Sequence, residues 1–366
     1  MELNAINPVE IPKTMKAVVC YAPLDYRLEE VPVPTPGPNE ILTKVELCGI
    51  CMGDIKTFHG APSFWGDAEQ PRYVKPPMIP GHEFVGRAVA LGPGAESRGV
   101  KVGDRVISEQ IVPCWACRFC THGQYWMCEK HDLYGFQKNV HGAMAEYMIY
   151  TKEGIVHKVP DSVPPDEAIL IEPLSCSLHA ADRANPGLDD VVVVAGAGTL
   201  GLGILGALRL RNPKKLIALD MRPERLELAK RMGADLVWNP SEMNVVKEIK
   251  ALTEGYGCDI YVEATGHHKA VNQGLAMLRK LGRFVEFSVF NEEATCDWSI
   301  ISDRKELDVL GSHLGPYMYP RAIDYIASRK IDVRGIVTHK FPLENFAEAF
   351  RVMESGQSSL KVVLQP

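Results

Sequence analysis

Four cysteines, Cys114, Cys117, Cys120 and Cys128, follow one another with the spacing Cys-x2-Cys-x2-Cys-x7-Cys. Four thiolates so close together can surround one zinc ion tetrahedrally at about 2.3 Å and close it to water. A metal held in this way stabilises a loop with little core of its own. The same spacing overlaps iron–sulfur ligation, so spacing alone leaves a [4Fe–4S] cluster open. A nucleic-acid-binding ribbon is the other alternative. The loop CWACRFCTHGQYWMC carries one arginine and no basic stripe, which disfavours it.

A second set of candidate ligands is dispersed. Cys51 and Asp54 lie in CGICMGD after a strand-like run, His82 and Glu83 in GHE after a proline-rich segment, and Glu172 in IEPLS at a predicted helix start. Singly, these read as a buried thiol, a polar turn and a helix-initiating acid. Together Cys51, His82, Glu83 and Glu172 offer one sulfur, one nitrogen and two oxygen ligands. That set suits an open catalytic zinc that keeps a position for water or substrate.

A third constellation is Gly196-Ala197-Gly198-Thr199-Leu200-Gly201, between a valine-rich strand and a helical segment. Its first glycine, Gly196, permits a tight turn. Gly198 lets the backbone approach a pyrophosphate, and Gly201 lets helix and strand pack closely. Asp220 ends the next strand about 20 residues on, as a dinucleotide site requires. It would accept hydrogen bonds from the adenosine ribose and repel a 2′-phosphate, favouring NAD over NADP. Arg222 and Arg225 lie close by and temper that preference.

These residues need a scaffold, and 366 residues suggest two domains. Twelve of the 26 prolines lie in the first 80 residues, VPVPTPGP at 31–38 among them, so this region should be strands and irregular connectors. Strands are expected at 40–47, 84–91, 105–108 and 145–150, alternating as in antiparallel sheet. From near 166 the grammar changes. Six short strands, at 191–195, 215–220, 235–238, 259–264, 283–287 and 307–310, alternate with helices at 199–211, 223–232, 242–253 and 267–280. That is the pattern of a doubly wound parallel sheet. Helices near 319–329 and 343–355 and a last strand, SLKVVL, close the chain.

Composition excludes several classes. With 46% hydrophobic and 23% charged residues, the chain is an ordinary globule rather than a disordered one. A net charge of −6 argues against nucleic acid as a partner. Residues 191–208 carry no charge, yet their five glycines and β-branched start read as strand, turn and helix rather than a membrane span. The opening MELNAINPVEIPKTMK has no apolar core after its charges and does not read as a secretory leader. Clustered cysteines suggest metal and a reducing, cytoplasmic setting rather than disulfides.

In order along the chain, CGICMGD, GHEFVG, GDRV with the four-cysteine loop, IEPLSCSLHA and VVVVAGAGTLGLG resemble the zinc-dependent medium-chain dehydrogenases. The resemblance covers essentially the whole chain, including the closing SLKVVLQP. It is greatest to the polyol and threonine dehydrogenase branch, where glutamate in an EPL motif stands in for a third cysteine. PKTMKAVVCYAPLDYRLEEVPVP and CGICMGDIKTFHG are similar to bacterial erythritol/L-threitol dehydrogenases.

The fold this resemblance implies is α/β: a GroES-like, mostly antiparallel β catalytic domain at 1–170, a six-stranded Rossmann domain at 171–312, and a return to the catalytic domain at 313–366. It implies two zincs per chain, a nicotinamide cofactor, a small polyol substrate, no membrane partner and a homodimer or homotetramer. Cys51, His82 and either Glu83 or Glu172 would bind the catalytic zinc, with Asp54 orienting His82. Leu200, Asp220 and Arg225 would lie on the adenosine half of the cofactor, and Phe287, Ser288 and Val289 beside the nicotinamide.

The expected reaction is alcohol oxidation by NAD. Zinc lowers the pKa of the substrate hydroxyl, and hydride passes to the nicotinamide. Two departures bear on it. Gly53 and Lys56 stand where many relatives carry the hydroxyl and imidazole of a proton relay, which leaves Glu172, the ribose hydroxyls, Lys56 or His59 to move the proton. Leu314 and Gly315 replace an Arg-Tyr pair of the sorbitol enzymes, so a polyol is held differently or the substrate is smaller. Phe58, His59, Trp65, Tyr73 and His313 are expected to shape the pocket, and Tyr125 and Trp126 to pack around the four-cysteine loop. L-Threonine is the rival substrate, and a zinc-containing scaffold without chemistry is the rival class.

Overall fold

A computed structural model describes residues 10–290 and 293–366. The chain forms two compact units, one running to Glu172 and joined by Val333–Pro366, the other spanning Pro173–Asp332.

The first unit opens with a hairpin of β1 (Thr14–Ala22) and β2 (Asp25–Pro32). Residues 33–37 then run as an extended connector, as alternating prolines dictate. Strand β3 (Ile41–Ile50) leads into helix α1 (Met52–Phe58) and the short α2 (Pro62–Trp65). There follow β4 (Glu83–Leu91), β5 (Arg105–Ser108), β6 (Ile111–Val112), the turn of helix α3 (Arg118–Thr121), β7 (Asp132–Leu133), β8 (Tyr147–Tyr150), β9 (Val156–Lys158) and α4 (Pro165–Ala168).

Helix α5 (Ile171–Ala184) leads into the second unit. There β10 (Val191–Ala195), α6 (Thr199–Arg209), β11 (Lys215–Leu219), α7 (Pro223–Arg231), β12 (Leu236–Trp238), α8 (Val245–Leu252), β13 (Cys258–Glu263), α9 (His268–Met277), β14 (Leu278–Glu286), β15 (Asp308–Gly311) and α10 (Tyr319–Ala327) alternate. The six strands are parallel in the order β12-β11-β10-β13-β14-β15. Strand β10 is buried on both faces, which is why VVVVA is an unbroken apolar run rather than an alternating one. The uncharged stretch 191–208 therefore divides into a strand, a turn and a helix. Among the described residues, no helix is long and apolar enough to cross a membrane.

The chain ends in the first unit with β16 (Val337–Pro342), α11 (Phe346–Ser355) and β17 (Lys361–Gln365). These complete a seven-stranded sheet of order β16-β17-β3-β4-β5-β9, with β8 also on β3. Only β16 and β17 pair in parallel; the other ladders are antiparallel. The expected α/β class, an antiparallel domain plus a six-stranded doubly wound one, is what the chain adopts.

Two details differ from expectation. Residues 313–332 belong to the second unit instead of starting the return at 313. His179 Nδ1 donates to the Leu314 carbonyl at 2.9 Å, and Gly315 packs so tightly on Ser175 that a Cβ would lie 2.6 Å from its side chain. Helix α9 stops at Met277 rather than near 280, because Leu278 already pairs with Cys258. A register shift with Leu281 at φ +59° then carries the strand on to Arg283.

Candidate active site and metal centres

Strand β3 delivers Cys51 just past its end, and β4 begins at Glu83. Their antiparallel register sets Gly49 opposite Glu83. A Cβ on Gly49 would lie 2.2 Å from Glu83 Oε2, so the carboxylate folds across the neighbouring strand where only glycine leaves room. One ligand atom each from Cys51, His82 and Glu83 then lies within 4.8 Å of the others. Asp54, in the first turn of α1, accepts the Cys51 amide at 2.9 Å through Oδ2. Its Oδ1 is 3.4 Å from His82 Nδ1, a buried nitrogen outside hydrogen-bond geometry with any partner among the described residues. This carboxylate beside one ring nitrogen is the arrangement that orients a metal-binding histidine. Sulfur, nitrogen and oxygen donors converging here fit a zinc ion with a position left over.

Glu83 has a partner that its motif does not announce. Lys361 Nζ donates to Oε1 at 2.8 Å and Oε2 at 2.6 Å, and to the Ile50 carbonyl at 3.3 Å. Burial works against the ammonium, but Glu83, Cys51 and Glu172 outweigh it and raise its pKa. Glu172 is also buried, yet among the described residues it is not a member of the Cys51 group. Instead it accepts from Gln110 Nε2 at 2.5 Å. The geometry thus brings together Cys51, His82 and Glu83, and leaves Glu172 beside them.

Aromatic rings wall the group. Phe136 lies 5.3 Å from the His82 ring, Phe64 stacks on Phe136 at 5.6 Å, and Gly53 faces His82, Phe64 and Cys51. Lys56 is half-buried, and desolvation lowers its pKa while Cys51 pulls the other way. His59 is engaged by Glu354 at 3.0 Å. Phe58, expected in the pocket, packs edge-on against Tyr26 and Phe350 at 5.0 and 5.5 Å. Trp65 Nε1 donates to the Thr57 carbonyl and Tyr73 Oη to the His131 carbonyl.

The four cysteines form the second cluster, their sulfurs also within 4.8 Å of one another. Backbone amides converge on them. Cys117 N reaches Cys114 Sγ at 3.3 Å, Ala116 N reaches the same sulfur at 3.5 Å, and Cys114 N reaches Cys128 Sγ at 3.3 Å. Amides of Cys120 and Glu129 bring the Cys117 thiol down to about 6, and those of Ala116 and Cys117 lower Cys114. All ten cysteines are free thiols. An all-sulfur cluster supplied with amide donors is suited to a tetrahedral metal and to no water. Tyr125 beneath it stacks obliquely on Trp115 at 5.9 Å, meets Trp126 edge-on at 6.0 Å and donates to Glu109.

In the second unit the glycine turn takes the dinucleotide-binding shape. Gly196 has φ +95°, and a Cβ on it would meet the Ala264 carbonyl at 2.7 Å. A Cβ on Gly201 would lie 1.9 Å from the Gly196 carbonyl. Gly198 is the N-cap of α6, and a helix N-terminus beside a glycine turn is suited to a pyrophosphate. Asp220 accepts from Ala197 N at 2.8 Å and Arg222 N at 2.9 Å, with Arg225 NH1 at 4.0 Å. Leu200 sits in the first turn of α6, and Phe287, Ser288 and Val289 follow β14. The turn and helix end fit the phosphates, and the Asp220 carboxylate fits a ribose.

Sequence reasoning missed Lys361, Gln110, Phe64 and Phe136. Only Lys361 left a usable signal: a single charge directly before the apolar run VVL in the closing strand.

Residues 37–161 match the alcohol dehydrogenase GroES-like domain, and residues 199–328 match the zinc-binding dehydrogenase domain. The chain is 54% identical over 358 residues to the erythritol/L-threitol dehydrogenase of Mycolicibacterium smegmatis, covering 98% of this chain and 99% of that one. It is 36% identical over 340 residues to the L-threonine 3-dehydrogenase of Pyrococcus horikoshii, covering 92% and 94%. Among solved structures, a zinc-binding dehydrogenase from Sinorhizobium meliloti 1021 bound to NADP superposes with a TM-score of 0.86 at 27% identity, covering 97% of this chain and 100% of that one.

Proposed function

The chain belongs to the zinc-dependent alcohol and polyol dehydrogenases, and on that premise we propose that it oxidises a secondary hydroxyl of a four-carbon polyol, erythritol or threitol, to the ketose with NAD. The observation that carries the substrate class is the 54% identity to an erythritol/L-threitol dehydrogenase across nearly the whole of both chains.

When bound, a zinc supplies Lewis acidity to the alcohol and a nicotinamide supplies the hydride acceptor. Cys51, His82 and Glu83 would hold the metal; Asp54 orients His82 and Lys361 holds Glu83. Gly53 offers no hydroxyl and His59 contacts Glu354, so Glu172, Lys56 or the ribose hydroxyls would take the proton. Desolvation lowers the pKa of the half-buried Lys56, the direction a general base needs, and Glu172 accepts a hydrogen bond from Gln110. Gly196, Gly198 and Gly201 would admit the pyrophosphate, and Asp220 would bind the adenosine ribose and favour NAD over NADP. Leu200 and Arg225 would flank the adenosine, and Phe287, Ser288 and Val289 the nicotinamide. Cys114, Cys117, Cys120 and Cys128 would hold a structural zinc.

A homo-oligomer is supported by β15, the edge strand of its sheet, which presents Val309 at 47% exposure to a second copy. Free thiols accord with a reducing, cytoplasmic compartment.

The test is an NADH-absorbance panel of erythritol, the threitols, sorbitol and L-threonine with NAD and NADP, run with and without chelator. Turnover on a four-carbon polyol that the chelator abolishes supports the reading. Preference for L-threonine, as the 36% identical relative suggests, replaces the substrate. Bound zinc with no turnover on any alcohol favours a scaffold.

A further inference from the structure

Glu263 and Glu286, the last residues of neighbouring parallel strands β13 and β14, have no part in the chemistry above. They are register partners, so their side chains leave the sheet side by side on one face. Glu263 is fully buried. Its Oε1 accepts the Thr265 amide at 2.7 Å and the Thr265 hydroxyl, and both its oxygens lie 3.2 Å from the Gly266 amide. Glu286 Oε1 accepts the Ser288 amide at 2.7 Å. The two loops held in this way touch: a Cβ on Gly266 would lie 3.3 Å from the Val289 carbonyl and 3.6 Å from Ser288 Cβ. Phe287 N donates across the gap to the Glu263 carbonyl at 3.2 Å.

Two carboxylates on paired positions, Glu263 fully buried and Glu286 half-buried, cannot both ionise cheaply. The groups around them offer little relief. On β13 the neighbouring titratable side chain is Tyr261, whose own pKa burial and this pair raise. On the other flank, Glu286 pairs with Gly311, and its carbonyl accepts the Ser312 amide. His179 lies beyond, 3.5 Å from Ser312 Oγ and donating to the Leu314 carbonyl. Arg283, the cation on the same strand, is bound to the Ala184 carbonyl and Asp308. Burial, and then the Glu263 charge, push the Glu286 carboxyl up to about 8.

We propose that Glu263 and Glu286 share a single proton, and that this proton fastens the loop 264–266 to the loop 287–289, making the pair a pH-sensitive positioning device for the nicotinamide end of the dinucleotide site. The proposal rests on the functional reading above for the identity of that ligand. Both loops leave the carboxyl ends of strands, where an open α/β sheet binds its ligand. Loss of the proton sets the half-buried Glu286 charge against the buried Glu263 carboxylate, and the repulsion turns Glu286 outward, away from the Ser288 amide. Neither glutamate needs to touch the cofactor; each acts through the backbone it holds.

Two readouts test this, both on enzyme that is not turning over. In cofactor-free wild-type protein, infrared spectra between about pH 6 and about pH 9 should show a protonated carboxyl C=O band that vanishes near pH 8 and is absent in Glu286→Gln. NADH affinity, followed by fluorescence, should fall several-fold across that range in wild type and stay level in Glu286→Gln, whose amide keeps the bridge without a titrating proton. No protonated carboxyl at neutral pH, or the same pH slope in both proteins, overturns the proposal. The wild-type infrared result stands even if the variant folds poorly. NADH that binds at no pH would sink the functional reading, while the infrared band still decides the shared proton.

Discussion

Lys361 Nζ lies 2.6 Å from Glu83 Oε2, with both side chains almost fully buried and 278 positions between them in the chain. The contact exists because β17 pairs antiparallel with β3, setting Val362 opposite Ile50, while β4 pairs with the other edge of β3 and carries Glu83. The carboxylate that approaches Cys51 and His82 is therefore charge-balanced by the last strand of the protein. A buried ion pair of this kind matters less for its net stabilisation than for what happens when one partner is lost.

In protein stripped of metal, Lys361→Met leaves the Glu83 carboxylate buried beside a thiol without its ammonium partner. The expected loss is about 3–5 kcal/mol of stability, and Lys361→Met combined with Glu83→Gln should recover much of it. Urea unfolding of the four proteins of the cycle measures this. A double variant whose loss equals the sum of the two single losses would show that the pair is not coupled.

Asp54→Asn keeps the shape of the contact to His82 but removes its charge. A loss of roughly 10–100-fold in metal affinity at the Cys51 group is expected, with NADH binding unaffected. Competition with a chromogenic chelator reads the first and fluorescence the second. An unchanged zinc affinity would remove Asp54 from its orienting role.

Cys51→Ser and Cys117→Ser should each lose one zinc equivalent, with opposite consequences. The first abolishes turnover and leaves the unfolding midpoint nearly unchanged. The second lowers the midpoint and opens residues 114–128 to proteolysis, because a structural metal is folding free energy for its loop. Metal analysis with limited proteolysis distinguishes them, and identical behaviour would contradict the division into two sites.

Glu286 should make stability fall as pH rises. Its carboxyl is raised from 4.5 to about 8 in the folded state, so the native protein binds the proton more tightly than the unfolded chain. The contribution is fully present below the unfolded value and is lost between about 4.5 and about 8. Urea midpoints across that window should decline more steeply in wild type than in Glu286→Gln; parallel lines would show that Glu286 titrates normally.

Asp220→Asn should lower the preference for NAD over NADP by about tenfold, since it removes the charge opposing a 2′-phosphate and leaves Arg222 and Arg225 in place. The ratio of kcat/KM for the two cofactors gives the answer. A ratio unchanged from wild type would assign selectivity elsewhere.

The local motifs were legible in the sequence because their chemistry is carried by neighbours in the chain. The spacing of Cys114, Cys117, Cys120 and Cys128 already confines four sulfurs to one loop. The Gly196–Gly201 turn is set by a strand and a helix that contain it, and Asp220 follows from the next strand in the same unit. The alternation of buried strands and helices likewise announced the parallel sheet, because buried parallel strands must be apolar on both faces.

Whether Glu83 or Glu172 joins Cys51 and His82 was beyond any spacing rule. Both carry the same carboxylate, and both follow from motifs of similar form. The register of β3 against β4 brings Glu83 over Gly49, while Glu172 accepts a hydrogen bond from Gln110 and is not part of that group among the described residues. Lys361 could be paired with Glu83 only after the two chain ends had folded into one sheet, and Glu263 meets Glu286 only through the ladder of β13 and β14. Residue types and short spacings determined which chemistries this chain can carry. Strand pairing between distant segments decided which carboxylates are brought together, because a side chain's charge and partners depend on what the ladder places beside it.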